Sequence, residues 1–584
     1  MPVGPLPLVI GITGHRDLRP GDVPVLEAAV LGVLHELRAQ YPSTPLLVLS
    51  SLAEGADRLG ARVALLAGAR LVVPLPMDVA DYERDFNSET SRAEFRKILA
   101  QAHRTIEVPH VFANAYNAKA VTGRDDLYEQ AGAYLAASSQ ILIALWDGNE
   151  NGRRGGTSEN VRFKLHGVDP RYMPFASPLD PPDTGPVISI VTPRQSGPPP
   201  ADAFAVKTIY PQSPGETNAG EVRYEQRVFS RIETFNRDAV RLGAKIAHAQ
   251  ARSAAQLSSL KDTDLDTGAG WLRRMYAVSD SLALHFQRLT REMLLTLFVW
   301  VFFAAALFEA AKGIGEGLHP LIAVYAAVVL GAAGWWYVAN RGDYRNKFLD
   351  YRALAEGLRV QFFWRLAGVR EDVANHYLRK QRGELDWIRV AAANSNLVAD
   401  IVPDGGAPEV SHSKSSAESL HAVMSDWVRT QHQYYTRAAW RDQRLSDRID
   451  LIAQWFLWTG VGLSIARALT LVLHFGWFES QGDWFAAVPA RAALFDLLFT
   501  VLFIVAALLH NYAEKRALSQ QSKQYERMSV MFGACERRLT PLMDGHHQAE
   551  ARALLRELGR EALAENADWV LLHRERPLQL SVKA

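Results

Sequence analysis

Four polar or glycine-containing segments stand directly after apolar runs, and together they hold the residues best suited to bind a small anionic ligand. The first is Gly11-Ile12-Thr13-Gly14-His15-Arg16-Asp17. Glycines at the carboxyl end of a strand let a ligand come close to the backbone. His15 and Arg16 could contact a phosphate or ribose, or cap the sheet. The second segment is Ser50-Ser51-Leu52-Ala53-Glu54-Gly55-Ala56-Asp57-Arg58, where a loop opens a helix. The first N–H groups of a helix lack intrahelical partners and favour a phosphate. Glu54 could bind a ribose or cap that helix. The third is Pro74-Leu75-Pro76-Met77, followed by Asp81-Tyr82-Glu83-Arg84-Asp85-Phe86. The fourth is Trp146-Asp147-Gly148, followed by Arg153-Arg154-Gly155-Gly156-Thr157-Ser158-Glu159. Here again a helix begins after glycines, and Ser158 and Glu159 also suit helix caps. The glycine spacing is not that of the dinucleotide fingerprint.

These segments need a scaffold that gathers them. Residues 7–12, 46–49, 71–74, 141–145 and 187–191 are short runs rich in Val, Ile and Leu, as strands buried on both faces should be. Amphipathic helices are expected at 23–39 and 56–66. Strands alternating with helices imply a parallel Rossmann-like sheet over residues 1–195, with ligand loops in the crevice at the strands' carboxyl ends. Residues 6–12 read as a buried strand and not as a targeting segment. Residues 196–270 read as a linker and helical connector, helical from about 222 to 259.

Charge is balanced, with 64 Lys+Arg against 63 Asp+Glu, so no nucleic-acid partner is expected. The single cysteine, Cys535, excludes an intrachain disulfide. The 17 histidines show no metal-ligand spacing; His474 and His510 fall on different spans, and His546-His547 reads as surface.

Beyond residue 270 the chain is expected to be helical and to enter a bilayer. One two-span unit covers 271–403, with spans at about 292–310 and 318–339. A linker follows at 404–417. A second unit covers 418–545, with spans at about 451–475 and 491–510, and a tail runs from 546 to 584. At about 1.5 Å per residue, the uncharged run 318–339 reaches across a hydrocarbon core of about 30 Å. Arg273, Arg274, Arg288 and Arg291 precede the first pair, and Arg341, Arg345, Lys347, Arg352 and Arg359 follow it. Arg441, Arg444 and Arg448 precede the second pair, and Lys515, Arg516, Lys523 and Arg527 follow it. By the positive-inside rule all these flanks, and both termini, are cytoplasmic. The two pairs read as a repeat of one unit.

Each span of the second pair carries one charge. Arg467 and Asp496 fall at similar depth, roughly 6 and 7.5 Å to the outer side of the midplane. A lone arginine in lipid costs at least about 3 kcal/mol. The two are therefore expected to pair, or else to snorkel to the headgroups.

Residues 51–57, Ser51-Leu52-Ala53-Glu54-Gly55-Ala56-Asp57, with Ala64-Leu65 and Gly68 downstream, resemble a motif of the SLOG superfamily. That Rossmann-like group includes the DNA-processing protein DprA/Smf and the LOG, or lysine decarboxylase-like, phosphoribohydrolases. Gly155-Gly156-Thr157-Ser158-Glu159 is similar to a shortened LOG loop, with one glycine missing and the glutamate one position early. The helical region is similar in architecture to the SLATT two-span domains of bacterial conflict systems. The resemblance implies a sensor that recognises a nucleotide-derived molecule, coupled to an effector in the inner membrane that forms a homo-oligomeric pore. It implies no further cofactor. The departures in the loop favour binding over hydrolysis, with Glu159 as the only catalytic candidate and Arg153 or Arg154 as its arginine. The alternatives are a membrane-anchored N-glycosidic hydrolase acting on nucleotides, and a scaffolding membrane protein whose α/β domain binds a protein.

Overall fold

In a computed structural model of the chain, the described residues are 4–108, 123–149, 154–172, 182–211, 218–312, 319–377, 385–402, 416–477, 489–516, 518–543 and 547–574. Most of the 404–417 linker, the loop of the second hairpin, His546, the last ten residues and Arg153 lie outside them.

The chain divides into two compact units. The first comprises Met1–Leu282, Ala353–Ala422 and Leu555–Ala567. Its centre is a seven-stranded sheet: β1 (Leu8–Gly14), β2 (Leu46–Leu49), β3 (Arg70–Leu75), β4 (Arg104–Glu107), β5 (Ile141–Trp146), β6 (Val187–Val191) and β7 (Val206–Ile209). Their order is β4-β3-β2-β1-β5-β6-β7. All neighbours are parallel except β6 and β7. The five expected strands form the middle of the sheet, and their residues are almost wholly buried. Strands β4 and β7 were not anticipated. Both are edge strands with half-exposed or exposed residues, so neither shows an apolar run.

Helices α1 (Val23–Gln40) and α2 (Ala56–Leu66) lie where expected. They are followed by α3 (Val79–Glu83), α4 (Glu89–Leu99), α5 (Arg124–Ser138), α6 (Thr157–His166) and α7 (Asn218–Leu257). The chain order runs from β1 outward through β2, β3 and β4, then returns to the other side of β1 at β5. This reversal makes the β1/β5 boundary the topological switch point of the sheet.

The next helices in chain order are α8 (Thr267–Lys312), α9 (His319–Arg341), α10 (Tyr344–Ala367) and α11 (Asp386–Ile401). Residues 385–401, expected to belong to the first membrane unit, instead complete the sheet's packing. Val398 and Ile401 of α11 join Val9, Leu47, Leu142 and Val187 in one buried cluster. The carboxamides of Asn394 and Gln140 exchange hydrogen bonds at 2.9 and 3.0 Å, and Asn394 Nδ2 donates to the Pro7 carbonyl at 2.9 Å. Both carboxamides are thus partnered, as a core polar group requires.

The second unit comprises Ala283–Arg352, Val423–Leu554 and Asp568–Ala584. After α12 (Ser416–Ala422) and a π-helical segment Val423–Arg429 come α13 (Thr430–Trp477), α14 (Pro489–Lys515), α15 (Leu518–Leu539) and α16 (Gln548–Arg574). The stretches Thr267–Glu309, Glu418–Leu469 and Phe495–Leu542 are long and apolar enough to cross a membrane. The remaining expected span coincides with α9, whose apolar part, Ile322–Val338, is shorter. Leu330, Trp455 and Trp458 are 71%, 60% and 67% exposed, an outward apolar surface that water does not favour. Small residues let the helices close on each other. A Cβ on Gly331 would meet the Trp300 ring at 3.0 Å, and one on Gly460 would meet the Phe503 ring at 3.3 Å.

Candidate functional site

The switch point brings the first and fourth segments together. Gly14 at the end of β1 pairs in register with Leu145 of β5, and the His15 N–H donates to the Leu145 carbonyl at 3.0 Å. His15 is buried. Its Nε2 accepts the Asp147 N–H at 2.9 Å and lies 3.2 Å from the Asp147 carboxylate. Those two contacts ask for opposite protonation of the same nitrogen. The backbone bond decides: burial lowers the His15 pKa below its ordinary value, favouring a neutral ring with a lone pair on Nε2. Asp147 also accepts the Asn149 N–H at 3.1 Å. Burial raises the Asp147 carboxyl, but the hydrogen bonds from Asn149 outweigh it and hold it below the ordinary value.

Arg16 stands exposed beside this pair. Its guanidinium lies 5.5 Å from the centroid of the Tyr128 ring. Partial burial pulls its pKa down, while Tyr82, Tyr128 and Asp57 hold it above the ordinary arginine value. A cation on an aromatic face can recognise a phosphate and a planar ring in one ligand.

The second segment is packed against the first, leaving little backbone free. Gly55 has φ +83°, and a Cβ there would lie 2.4 Å from the Arg16 carbonyl oxygen and 2.5 Å from that of His15. A Cβ on Gly14 would meet the Ala56 Cβ at 2.4 Å. The Ala56 N–H, at the start of α2, donates to the His15 carbonyl at 3.0 Å. Asp57 Oδ1 accepts the Gly14 N–H at 3.1 Å. Burial pushes the Asp57 carboxyl up to about 7, against Arg16 and the amides of Gly14 and Ala53. Ser50 is wholly buried, with its hydroxyl donating to the Asp57 carbonyl at 3.0 Å. Glu54 is tied to Ser91 and Asn87, and Ser51 is half-buried. Gly11 lies inside β1, where a Cβ would meet Leu142 and Ser139 at 3.0 Å.

At the fourth segment, Gly156 is the N-cap of α6 and Thr157 its first residue. The Glu159 carboxylate turns back to accept the Gly155 N–H at 2.6 Å and pairs with Arg162 at 3.0 Å. It thus places its own negative charge at the helix N-terminus. Arg154 is engaged by Glu129 and Asp126. Thr13 is held from below, its hydroxyl accepting from Asn160 Nδ2 at 3.0 Å. The structure therefore gathers Thr13, Gly14, His15, Arg16, Asp57 and Asp147 closely, and it gives the glycines and Glu159 packing and capping roles.

Three features of the site escaped sequence reasoning. Arg58, 1% exposed, donates from Nε to the Leu52 carbonyl at 3.1 Å and from Nη1 to Ser91 Oγ at 2.8 Å. Its guanidinium stacks 4.4 Å from the Phe86 ring centroid. Leu52 is held at φ +55°, a left-handed conformation unusual for a branched side chain. Tyr128 is hydrogen-bonded to Asp85, which also pairs with Arg124 at 2.7 Å. Nothing in the sequence places Tyr128 beside Arg16.

Among the described residues no group of three or more His, Cys, Asp or Glu could hold a metal ion. Arg467 Nε lies 3.8 Å from Asp496 Oδ1 in the second unit, a loose ion pair with side chains 18% and 47% exposed. No protein-family model matches the chain, and no curated protein matches it.

Proposed function

We propose that the chain is a membrane-bound sensor–effector. In this reading a nucleotide-derived molecule binds at the carboxyl edge of the sheet, and the membrane helices of a homo-oligomer respond by forming a pore, in the manner of a bacterial defence protein. The observation that carries it is the exposed guanidinium of Arg16, set on Tyr128 at the switch point, one residue beyond the His15 that contacts Asp147. Open parallel sheets bind ligands at such a point. Arg16 would take a phosphate, Tyr128 a base or sugar face, and Asp147 a hydroxyl. Glu159 is occupied as a helix cap, which supports recognition over glycosidic hydrolysis.

The membrane part of the proposal has four spans, with α9 joining the three longer apolar stretches, and both termini in the cytoplasm of a cell with an inner membrane. Its support is the cluster of basic residues outside both hairpins.

Calorimetric titration of the full chain in neutral detergent with nucleotides and cyclic nucleotides tests the reading. At least one should bind, Arg16→Ala should weaken it by about tenfold or more (about 1.4 kcal/mol), and no free base should be released. Binding that Arg16→Ala leaves intact, or no binding by any nucleotide, refutes the site. Release of free base would instead favour the hydrolase.

A further inference from the structure

The opposite edge of the sheet carries a second cleft. Pro5 precedes β1, Pro45 directly precedes β2, and Arg70 is the first residue of β3. With Val240, Trp271 and Val278 they help to line a cavity of about 450 Å³ within the first unit. Strand β3 is six residues long. At about 3.3 Å per residue the cleft therefore lies roughly 17–20 Å from the carboxyl edge, so it is separate from the site built on Arg16.

Its chemistry is one-sided. Among the described residues Arg70 is the only charged one lining the cleft, and no carboxylate does so. Among the described residues Arg70 has no ion-pair partner and no side-chain hydrogen bond; burial alone acts on it, lowering its pKa, and no acid opposes the shift. The neighbouring ring of His103 is likewise lowered, by burial and then by the Arg70 charge, so the local field is positive. The guanidinium of Arg274 lies 6.0 Å from the Trp271 ring centroid and adds to that field. The indole Nε1 of Trp271 is buried without a hydrogen-bond partner. The rest of the wall is mainly proline, alanine and valine. A partly desolvated guanidinium without a protein partner among the described residues keeps its donors open to a ligand. An oxyanion matches its forked donors, and an apolar body matches the wall.

We propose that this amino-edge cleft is a second ligand site, taking a small organic anion whose phosphate or carboxylate head meets Arg70 and whose apolar body lies against Trp271 and Val278. It does not depend on the nucleotide reading of the other edge.

Phenyl phosphate, benzoate, inorganic phosphate and phenol are suitable probes for calorimetry on the full chain in neutral maltoside micelles. Phenyl phosphate or benzoate should bind at one site per chain, and phenol and inorganic phosphate should each bind at least about tenfold more weakly. The preference between the two aryl anions identifies the head group. Arg70→Gln should reduce binding by about tenfold or more without lowering the melting temperature, since it breaks no hydrogen bond or ion pair among the described residues. Val278→Trp, which fills the cleft and leaves Arg70 in place, should abolish binding and serves if Arg70→Gln does not fold. Unchanged affinity in either folded variant overturns the site. So does failure of both aryl anions to bind at millimolar concentration, or binding of phenol as tight as theirs.

Discussion

Reversing one charge of the second hairpin should cost stability, and reversing both should return much of it. The Arg467 and Asp496 charges are 3.8 Å apart. Two unit charges at about 4 Å attract by about 1 kcal/mol in water and about 4 kcal/mol at an effective dielectric constant near 20. Asp496 is 47% exposed, so its surroundings screen the attraction and the lower figure governs. Arg467→Asp or Asp496→Arg replaces attraction by repulsion, and each should destabilise the purified protein by about 1–2 kcal/mol. The double variant, which restores an opposite-charge pair, should lie near the wild type, a coupling energy of about 2–4 kcal/mol against the roughly 0.3–0.5 kcal/mol scatter of independent sites. Unfolding in mixed micelles titrated with an anionic detergent measures all four proteins. The coupling should shrink as salt is added, because a half-exposed pair is screened. If the two changes are merely additive, the charges do not interact and each is accommodated separately at the headgroups.

Two further outcomes concern the sheet's carboxyl edge. Burial raises Asp57 from 3.8 to about 7 in the folded state, so the native protein holds that proton more tightly than the unfolded chain. Between those values the contribution of Asp57 to stability falls as pH rises, by at most about 1.4 kcal/mol per pH unit. Asp57→Asn should remove that slope and gain on the wild type toward neutral pH, and limited proteolysis at a series of pH values reads it; parallel profiles would contradict the assignment. Gly55→Ala should destabilise the α/β unit by about 1–3 kcal/mol, because a positive φ and two carbonyl oxygens reject a Cβ. A melting temperature within error of the wild type would mean that the loop relaxes freely.

The inner strands were legible because a strand buried on both faces must be apolar throughout, as in Leu46–Leu49. Strand β4, Arg-Thr-Ile-Glu, has one neighbour and a half-exposed surface, so its composition resembles a loop. The site was legible where it follows directly from strand ends: His15, Arg16 and Asp147 are adjacent because β1 and β5 are. Arg58 was not, since an arginine in an amphipathic helix ordinarily faces water. Only the fold brings Phe86, Ser91 and the Leu52 carbonyl around it. Glu159 and the paired glycines show the converse: residue types that suit a ligand loop serve equally to close a helix and let two loops touch.

The amide pair between Gln140 and Asn394 has a consequence for how the protein is made. The last strand of the sheet ends at Ile209, yet the helix that seals one face does not begin until Asp386. A ribosome working at about 5–20 residues per second leaves that face uncovered on the order of ten seconds or longer. During this interval the stretch Thr267–Glu309, long and apolar enough to cross a membrane, also emerges. The wait extends further, for the Trp364 indole donates to the Leu555 carbonyl at 3.1 Å and Tyr377 reaches Asn566. The α/β unit is thus assembled from chain segments that bracket the apolar hairpins. Its maturation waits on their synthesis, and a nascent chain stalled between them would present open apolar surface to the chaperones of the cell.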